Sequence, residues 1–194
     1  MGGPREIEIK LALADAATGR RLLRTAGFRV FKRRVFEANT IFDTARGGLR
    51  RTGRMLRVRA AGPTGTLTYK GPGATGQYKE REELEVKVND PRRLSEIVTC
   101  LDFKPAFRYE KYRTEYRRRG EAGVATLDET PIGVYMELEG TPAWIDRSAH
   151  RLGFAESDYS TASYYGLYVD YCRRLGVPVT HMTFAKEDAR GRGA

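Results

Sequence analysis

The chain is poor in the residues on which many functional schemes depend: two cysteines, two histidines and one tryptophan in 194 residues. Cys100 and Cys172 are too far apart for metal-type spacing and too few for a disulfide framework. Both lie in segments that read as apolar helix faces, so both are expected in the core. His150 in "HRLGF" and His181 near the C-terminal end have no matching partners, and neither carries a catalytic expectation. No apolar run approaches the roughly 20 residues of a membrane helix, and the first residues lack the apolar region of a signal peptide. A cytoplasmic address with no membrane partner is therefore expected. Also missing are the P-loop GxxxxGK[ST] and the GxSxG elbow, which leaves those phosphate and acyl chemistries without support. The stretch "GPGATG" at 71–76 does match GxGxxG, but "QYKEREELEVKV" continues as a strand rather than a helix. It is read as a mobile hairpin loop.

Charge is what the sequence has in quantity. It holds 35 Lys and Arg against 25 Asp and Glu, a formal +10, which predicts an anionic partner: nucleic acid, an acidic surface or a phosphorylated small molecule. The basic runs "KRR" at 32–34, "LRR" at 49–51 and "RRR" at 117–119 read as solvated faces, so nucleic acid is not the expected partner. With 40% hydrophobic and 31% charged residues, and no Pro/Gly/Ser linker, the composition predicts one folded domain. That domain is placed at 1–176, with a loosely ordered tail at 177–194. A homodimer is left open.

The hydrophobic pattern predicts strands at about 5–12, 28–43, 54–61, 64–71, 78–88, 103–118, 122–130 and 132–140. Short turns such as "AAGPTGT", "RRGEAG" and "ETPIG" favour antiparallel pairing. Helices are expected from Asp15 to Ala26 with Leu22, Leu23 and Ala26 inward, from Asp90 with Leu94, Ile97, Val98 and Leu101 buried, from Thr141-Pro142, and over about 161–175.

Nearly every long strand is charged on one face. In "EIEIK", Glu6, Glu8 and Lys10 oppose Ile7, Ile9 and Leu11; "LRVR" places Arg57 and Arg59 together, and "TLTYK" places Thr66, Thr68 and Lys70 together. "REELEVKV" aligns Arg81, Glu83, Glu85 and Lys87 in front of Leu84, Val86 and Val88. Lys111 and Arg113 share a face in "RYEKYRTEY", Asp128 lies in register with Thr126 and Val124, and Glu137 and Glu139 oppose Met136 and Leu138. One such strand is an ordinary half-exposed edge. Many together, in a sheet that closes or curls strongly, bring the charged faces inward if helices cover the apolar ones. Clustered carboxylates about 4 Å apart repel by ~4 kcal/mol at an effective dielectric near 20, so they need a cation among them. Oxygen ligands suit Mg²⁺ or Mn²⁺. The arginines and lysines in turn need anions of dense charge, and a metal–triphosphate complex answers both needs.

This ordered set of motifs resembles the CYTH domain, the triphosphate tunnel metalloenzymes, a group that includes class IV adenylyl cyclases, thiamine triphosphatases and inorganic tripolyphosphatases. "EIEIK" resembles the family's ExExK signature, and "LRVR", "TYKGP", "KEREELE", "EKYRTEY", "LDETPIG" and "ELEG" follow in the family's order, over about residues 5–170. The resemblance implies an α+β fold: an eight-stranded antiparallel β-tunnel, a closed or nearly closed barrel with helices packed outside. It implies metal held by Glu6, Glu8, Asp128, Glu137 and Glu139, and triphosphate bound by Lys10, Arg57, Arg59, Lys70, Arg81, Lys111 and Arg113. Catalysis would fall to Glu6, Glu8, Lys10, Lys70 and Arg113, with Glu83 and Glu85 either orienting the basic residues or approaching a second metal. "STASYYGLY" resembles a late Ser-Tyr element, where Ser163 or Tyr164 could close the tunnel mouth; an aromatic helix face packed on the barrel explains the tyrosines as well.

The expected activity is metal-dependent hydrolysis of a small-molecule triphosphate: tripolyphosphate, thiamine triphosphate or a nucleoside triphosphate. The alternative is a class IV cyclase making cyclic AMP and pyrophosphate from ATP. Some such cyclases carry a His-Phe pair shortly before ExExK, where this chain reads "MGGPR". A third reading is a non-catalytic polyphosphate- or nucleotide-binding module using the interleaved Tyr69, Tyr78, Tyr109 and Tyr112.

Overall fold

The computed structural model describes residues 5–74 and 76–185. Eight strands form one closed antiparallel barrel: β1 (Arg5–Leu13), β2 (Arg29–Thr44), β3 (Met55–Ala61), β4 (Thr64–Lys70), β5 (Lys79–Val88), β6 (Phe103–Arg117), β7 (Val124–Thr130) and β8 (Gly133–Glu139). Around the barrel they run β1-β5-β4-β3-β2-β6-β7-β8. The α+β tunnel expected from the motifs is the fold observed.

Five α-helices are described: α1 (Ala16–Thr25), α2 (Gly48–Arg51), α3 (Pro91–Cys100), α4 (Pro142–Arg151) and α5 (Tyr164–Leu175). Local chemistry starts them. Asp15 accepts from the Thr18 amide at 2.7 Å, Asp90 from Arg93 at 2.8 Å, and Ser163 from Gly166 at 3.1 Å. Pro91 and Pro142 stand in first turns, where no amide hydrogen is needed. The one-turn α2 was not expected; Asp43 nucleates it by accepting from the amides of Thr44, Leu49 and Arg50.

The apolar strand faces point outward under the helices. Ile9, Leu11, Leu127, Met136 and Leu138 pack with Leu23, Phe28, Trp144, Ile145 and Ala149 in the largest cluster. Each such side chain contributes about 1.5–3 kcal/mol when fully buried, so this covering holds the barrel's polar faces inward. At Gly19 of α1 a Cβ would lie 2.5 Å from a Leu127 methyl carbon, so the close helix-to-barrel approach there requires glycine. A second cluster joins Phe42, Val58 and Val98 through α3.

Two expectations are corrected on this outer surface. On α3, Val98 is buried, but Ile97 and Leu101 are 50% and 64% exposed and Cys100 is exposed. A ten-residue helix lying on β3 and β4 buries only the narrow stripe through Leu94 and Val98. On β5, Leu84 and Val86 are 47% and 54% exposed, because no described helix packs over that strand.

Residues 181–184, within the segment expected as a tail, lie along β6. β7 pairs with β6 only from Tyr112 onward, which leaves the β6 edge at 108–110 open. There the Met182 amide donates to the Arg108 carbonyl at 3.0 Å, the Glu110 amide donates to the Met182 carbonyl at 2.9 Å, and Met182 is buried. Residues 186–194 of the expected tail lie outside the described residues.

Candidate active site

The barrel encloses a cavity of about 820 Å³ lined by residues from all eight strands, β7 contributing Val124 and Thr126. Inward alternation places Glu6, Glu8 and Lys10 of β1 beside Glu137 and Glu139 of β8, with Lys10 opposite Glu137 and Glu8 opposite Glu139 in register. On the other flank of β1, Glu6 faces Arg81 and Glu8 faces Lys79. Arg57 and Arg59 of β3 stand opposite Thr68 and Thr66 of β4, and Lys70 stands opposite Glu83 of β5.

These side chains form paired networks. Lys10 Nζ donates to Glu8 Oε1 and lies against Glu137 Oε1, both at 3.1 Å. Asp128, fully buried, accepts from Lys111 at 2.8 Å, from Arg113 in a fork at 2.7 and 2.6 Å, and from the Tyr164 hydroxyl at 2.6 Å. Arg113 also reaches Glu137. Lys70 pairs with Glu6 and, at 3.0 Å, with Glu83. Arg57 donates to Tyr109 at 3.2 Å, to Thr68 at 3.1 Å and to Glu85 at 3.4 Å. Arg59 donates to Asn39 at 3.3 Å and lies 3.5 Å from Glu37.

Electrostatics divides the carboxylates. Burial pushes the pKa of Glu137 up, but Arg113, Lys10 and Lys111 outweigh it and hold the group well below the carboxylate range. Glu8 behaves likewise under Lys10 and Lys79, and Glu37 under Lys111 and Arg59. Glu139 goes the other way: lost hydration first, then the charges of Glu6, Glu8 and Glu137, raise it to about 7. Glu83 is raised as well, by burial against the opposing pull of Lys70 and then by Glu6. Lys79 is lowered to about 8, by burial and then by Lys10.

The candidate residues read from the sequence thus line one cavity, except Asp128, which is fully buried beside Lys111 and Arg113. Asp128 has its oxygens taken by three donors, Glu139 sits exposed at the mouth, and Glu85 lies near Arg57 with its side chain 43% exposed. Tyr164 enters the tunnel, with Lys111 and Lys10 at 4.9 and 5.3 Å from its ring, whereas Ser163 caps α5. Among the inward residues that escaped the sequence reading are Glu37, Asn39, Asp43 and Lys79. Their signal was present. Glu37, Asn39 and Asp43 alternate with Phe36, Ala38 and Phe42, and Lys79 extends the Arg81–Glu83–Glu85 row by one step of two.

Among the described residues no three acidic or other ligating side chains are gathered into a ready-made cation cage. The donor chemistry nevertheless fits a hard dication. Four carboxylates, Glu6, Glu8, Glu137 and Glu139, meet along β1 and β8, and the charges of the first three add to burial in raising Glu139. Arg81 beside Glu6 on β5 and Arg57 further round on β3 have the complementary deficit: the Nε of each is buried with no hydrogen-bond partner among the described residues.

A closed antiparallel barrel with a charged lumen and an apolar exterior under helices defines a tunnel-type protein built to hold charge inside. The chain matches the CYTH domain family over residues 4–148 and belongs to it. It is 32% identical over 135 residues, 69% of this chain and 75% of the other, to a Methanocaldococcus jannaschii protein named as a candidate adenylate cyclase. Solved structures share the fold. One from Pyrococcus horikoshii superposes with TM-score 0.70 at 24% identity, covering 82% of this chain and 96% of that one. A Hippeastrum protein, described as a candidate adenylyl cyclase with a dominant triphosphatase activity, gives TM-score 0.64 at 20% identity over 90% and 97% of the two chains.

Proposed function

We propose that this chain is a divalent-metal-dependent phosphohydrolase that binds a small-molecule triphosphate in its tunnel. The observation that carries the reading is the meeting of four carboxylates, Glu6, Glu8, Glu137 and Glu139, in one tunnel with Nε atoms of Arg57 and Arg81 that are buried without a partner among the described residues. Glu6, Glu8, Glu137 and Glu139 would hold Mg²⁺ or Mn²⁺. When bound, the ion supplies Lewis acidity and positions water for in-line attack on the terminal phosphorus.

The chain's own residues bind and neutralise. Arg57 and Arg59 on β3, Arg81 on β5, and Lys111 and Arg113 on β6 approach a phosphate chain from different walls, so its charge can be compensated along its length. Asp128 orients Arg113 and Lys111, and Glu83 with Glu85 orients Lys70 and Arg57. The interior hydrogen bonds hold these groups in place before substrate arrives, which lowers the reorganisation that the reaction requires.

The cyclase reading is the second one. It rests on the named relative and on the part of the cavity lined by Ile41, Met55, Phe107 and Tyr165, which could seat an organic group. The binding-module reading loses its shared aromatic surface: Tyr109 lies inside with Arg57, Tyr78 donates to Asp146, and Tyr112 stacks under Arg34.

The test is a panel of tripolyphosphate, thiamine triphosphate and nucleoside triphosphates with Mg²⁺, Mn²⁺ or EDTA, and product analysis. Orthophosphate release that EDTA abolishes supports the proposal. Cyclic AMP with pyrophosphate from ATP as sole products reverses the order, and binding without turnover leaves only the module.

A further inference from the structure

Lys79 is held by one oxygen that has two claimants. It stands opposite Glu8 in the β1–β5 register, and its ammonium contacts Glu8 Oε1. Lys10 donates to the same Oε1 at 3.1 Å. The two lysines are otherwise unlike. Lys10 is 2% exposed, is held a second time by Glu137 at 3.1 Å, and lies 5.3 Å from the Tyr164 ring centre. Among the described residues Lys79 has one ion pair, with Glu8; it keeps 14% of its side chain accessible, lines the cavity, and is the first residue of β5 after the glycine-rich loop. Lys10 is pinned; Lys79 is free to exchange one partner for another.

We propose that Lys79 is a phosphate-binding side chain that competes with the divalent cation for Glu8, so that cation binding at Glu8 transfers Lys79 to the triphosphate. This rests on the assignment of Glu8 to the metal side. The physical reason is that a dication in contact with Glu8 Oε1 repels both ammonium groups there; Lys10 is kept by Glu137, whereas Lys79 has no second carboxylate among the described residues and is the one that moves. The freed ammonium would then lie on the wall that carries Arg81, whose buried Nε lacks a partner among the described residues. A phosphate chain there would satisfy both side chains, since each carries donors only. Cation and substrate would thus bind cooperatively, through a side chain of this chain as well as through each other.

The competition predicts effects of opposite sign from one substitution. Mn²⁺ binding to the Lys79→Gln protein, titrated by calorimetry without any phosphate present, should be roughly tenfold tighter than to the unaltered protein or more. Tripolyphosphate binding at saturating Mn²⁺ should be roughly tenfold weaker. Lys79→Arg, which keeps the charge, should restore most of the phosphate affinity. A substitution that merely loosened the fold would weaken both ligands together, and a thermal melt of each variant identifies that case. Unchanged or weaker Mn²⁺ binding in Lys79→Gln, with Mn²⁺ binding intact in the unaltered protein, overturns the role of Lys79 alone. Failure of the unaltered protein to bind Mn²⁺ overturns the metal-side assignment, and the competition with it.

Discussion

Glu137 and Glu139 lie two residues apart on β8, point the same way, and have opposite electrostatic fates. Glu137 is buried among Arg113, Lys10 and Lys111 and stays ionised; Glu139, exposed at the mouth, faces three other carboxylates and holds its proton to about 7. A glutamate in the tunnel is therefore not one kind of group. Where arginine and lysine crowd it, it stays ionised; where burial and other carboxylates crowd it, it keeps its proton to higher pH.

The most severe way to break this contrast is Glu137→Gln. It leaves Lys10 and Arg113 short of a buried partner, and the protein should lose about 3–5 kcal/mol of stability, measured by urea denaturation. Glu8→Gln should act on chemistry instead: metal-dependent turnover should fall on the order of 10²-fold or more at saturating substrate, while the melting temperature changes less than in Glu137→Gln. Equal loss of stability in both would show that Glu8, through Lys10 and Lys79, anchors the tunnel as firmly as Glu137 does.

Glu139 sharpens the contrast through pH. Its folded pKa is raised, so the folded state binds the proton more tightly than the unfolded state does. The stability it contributes is complete below the ordinary glutamate value of 4.5 and is lost as pH rises through about 7. Glu8, Glu37 and Glu137, whose folded values are lowered, give stability that is already complete above 4.5 and stays constant through this window. In EDTA the melting temperature should therefore fall between pH 5 and 7; Glu83, raised in the same way, adds to the slope, so Glu139→Gln should reduce it and Glu139→Gln with Glu83→Gln should flatten it. The smallest effect belongs to the outer surface: Cys100→Ser, at an exposed position, should shift stability by less than about 0.5 kcal/mol and leave turnover unchanged.

Most of the barrel was legible because strand periodicity is local. All eight strands fall within two residues of their expected ends, and the caps at Asp15, Asp90 and Thr141 stand where their sequences place them. The overreading of α3 has a geometric cause. Leu94, Ile97, Val98 and Leu101 follow helical spacing, but the width of the buried stripe depends on how the helix sits on β3 and β4, which spacing does not encode. Glu37 was overlooked for a related reason: the β2 segment "FEANTIFD" carries too little charge to announce its inward face, although the alternation is there.

Chain order alone determined which residues share a strand face, because successive side chains on a strand must alternate. Which charged neighbours meet was decided only when the barrel closed. Closure sets the stagger between β1, β5 and β8, and that stagger brings Lys79 to Glu8 and Glu137 to Lys10, whereas the packing of α5 brings Tyr164 to Asp128. Proximity in a tunnel is a property of register and closure, and neither is written in any single segment.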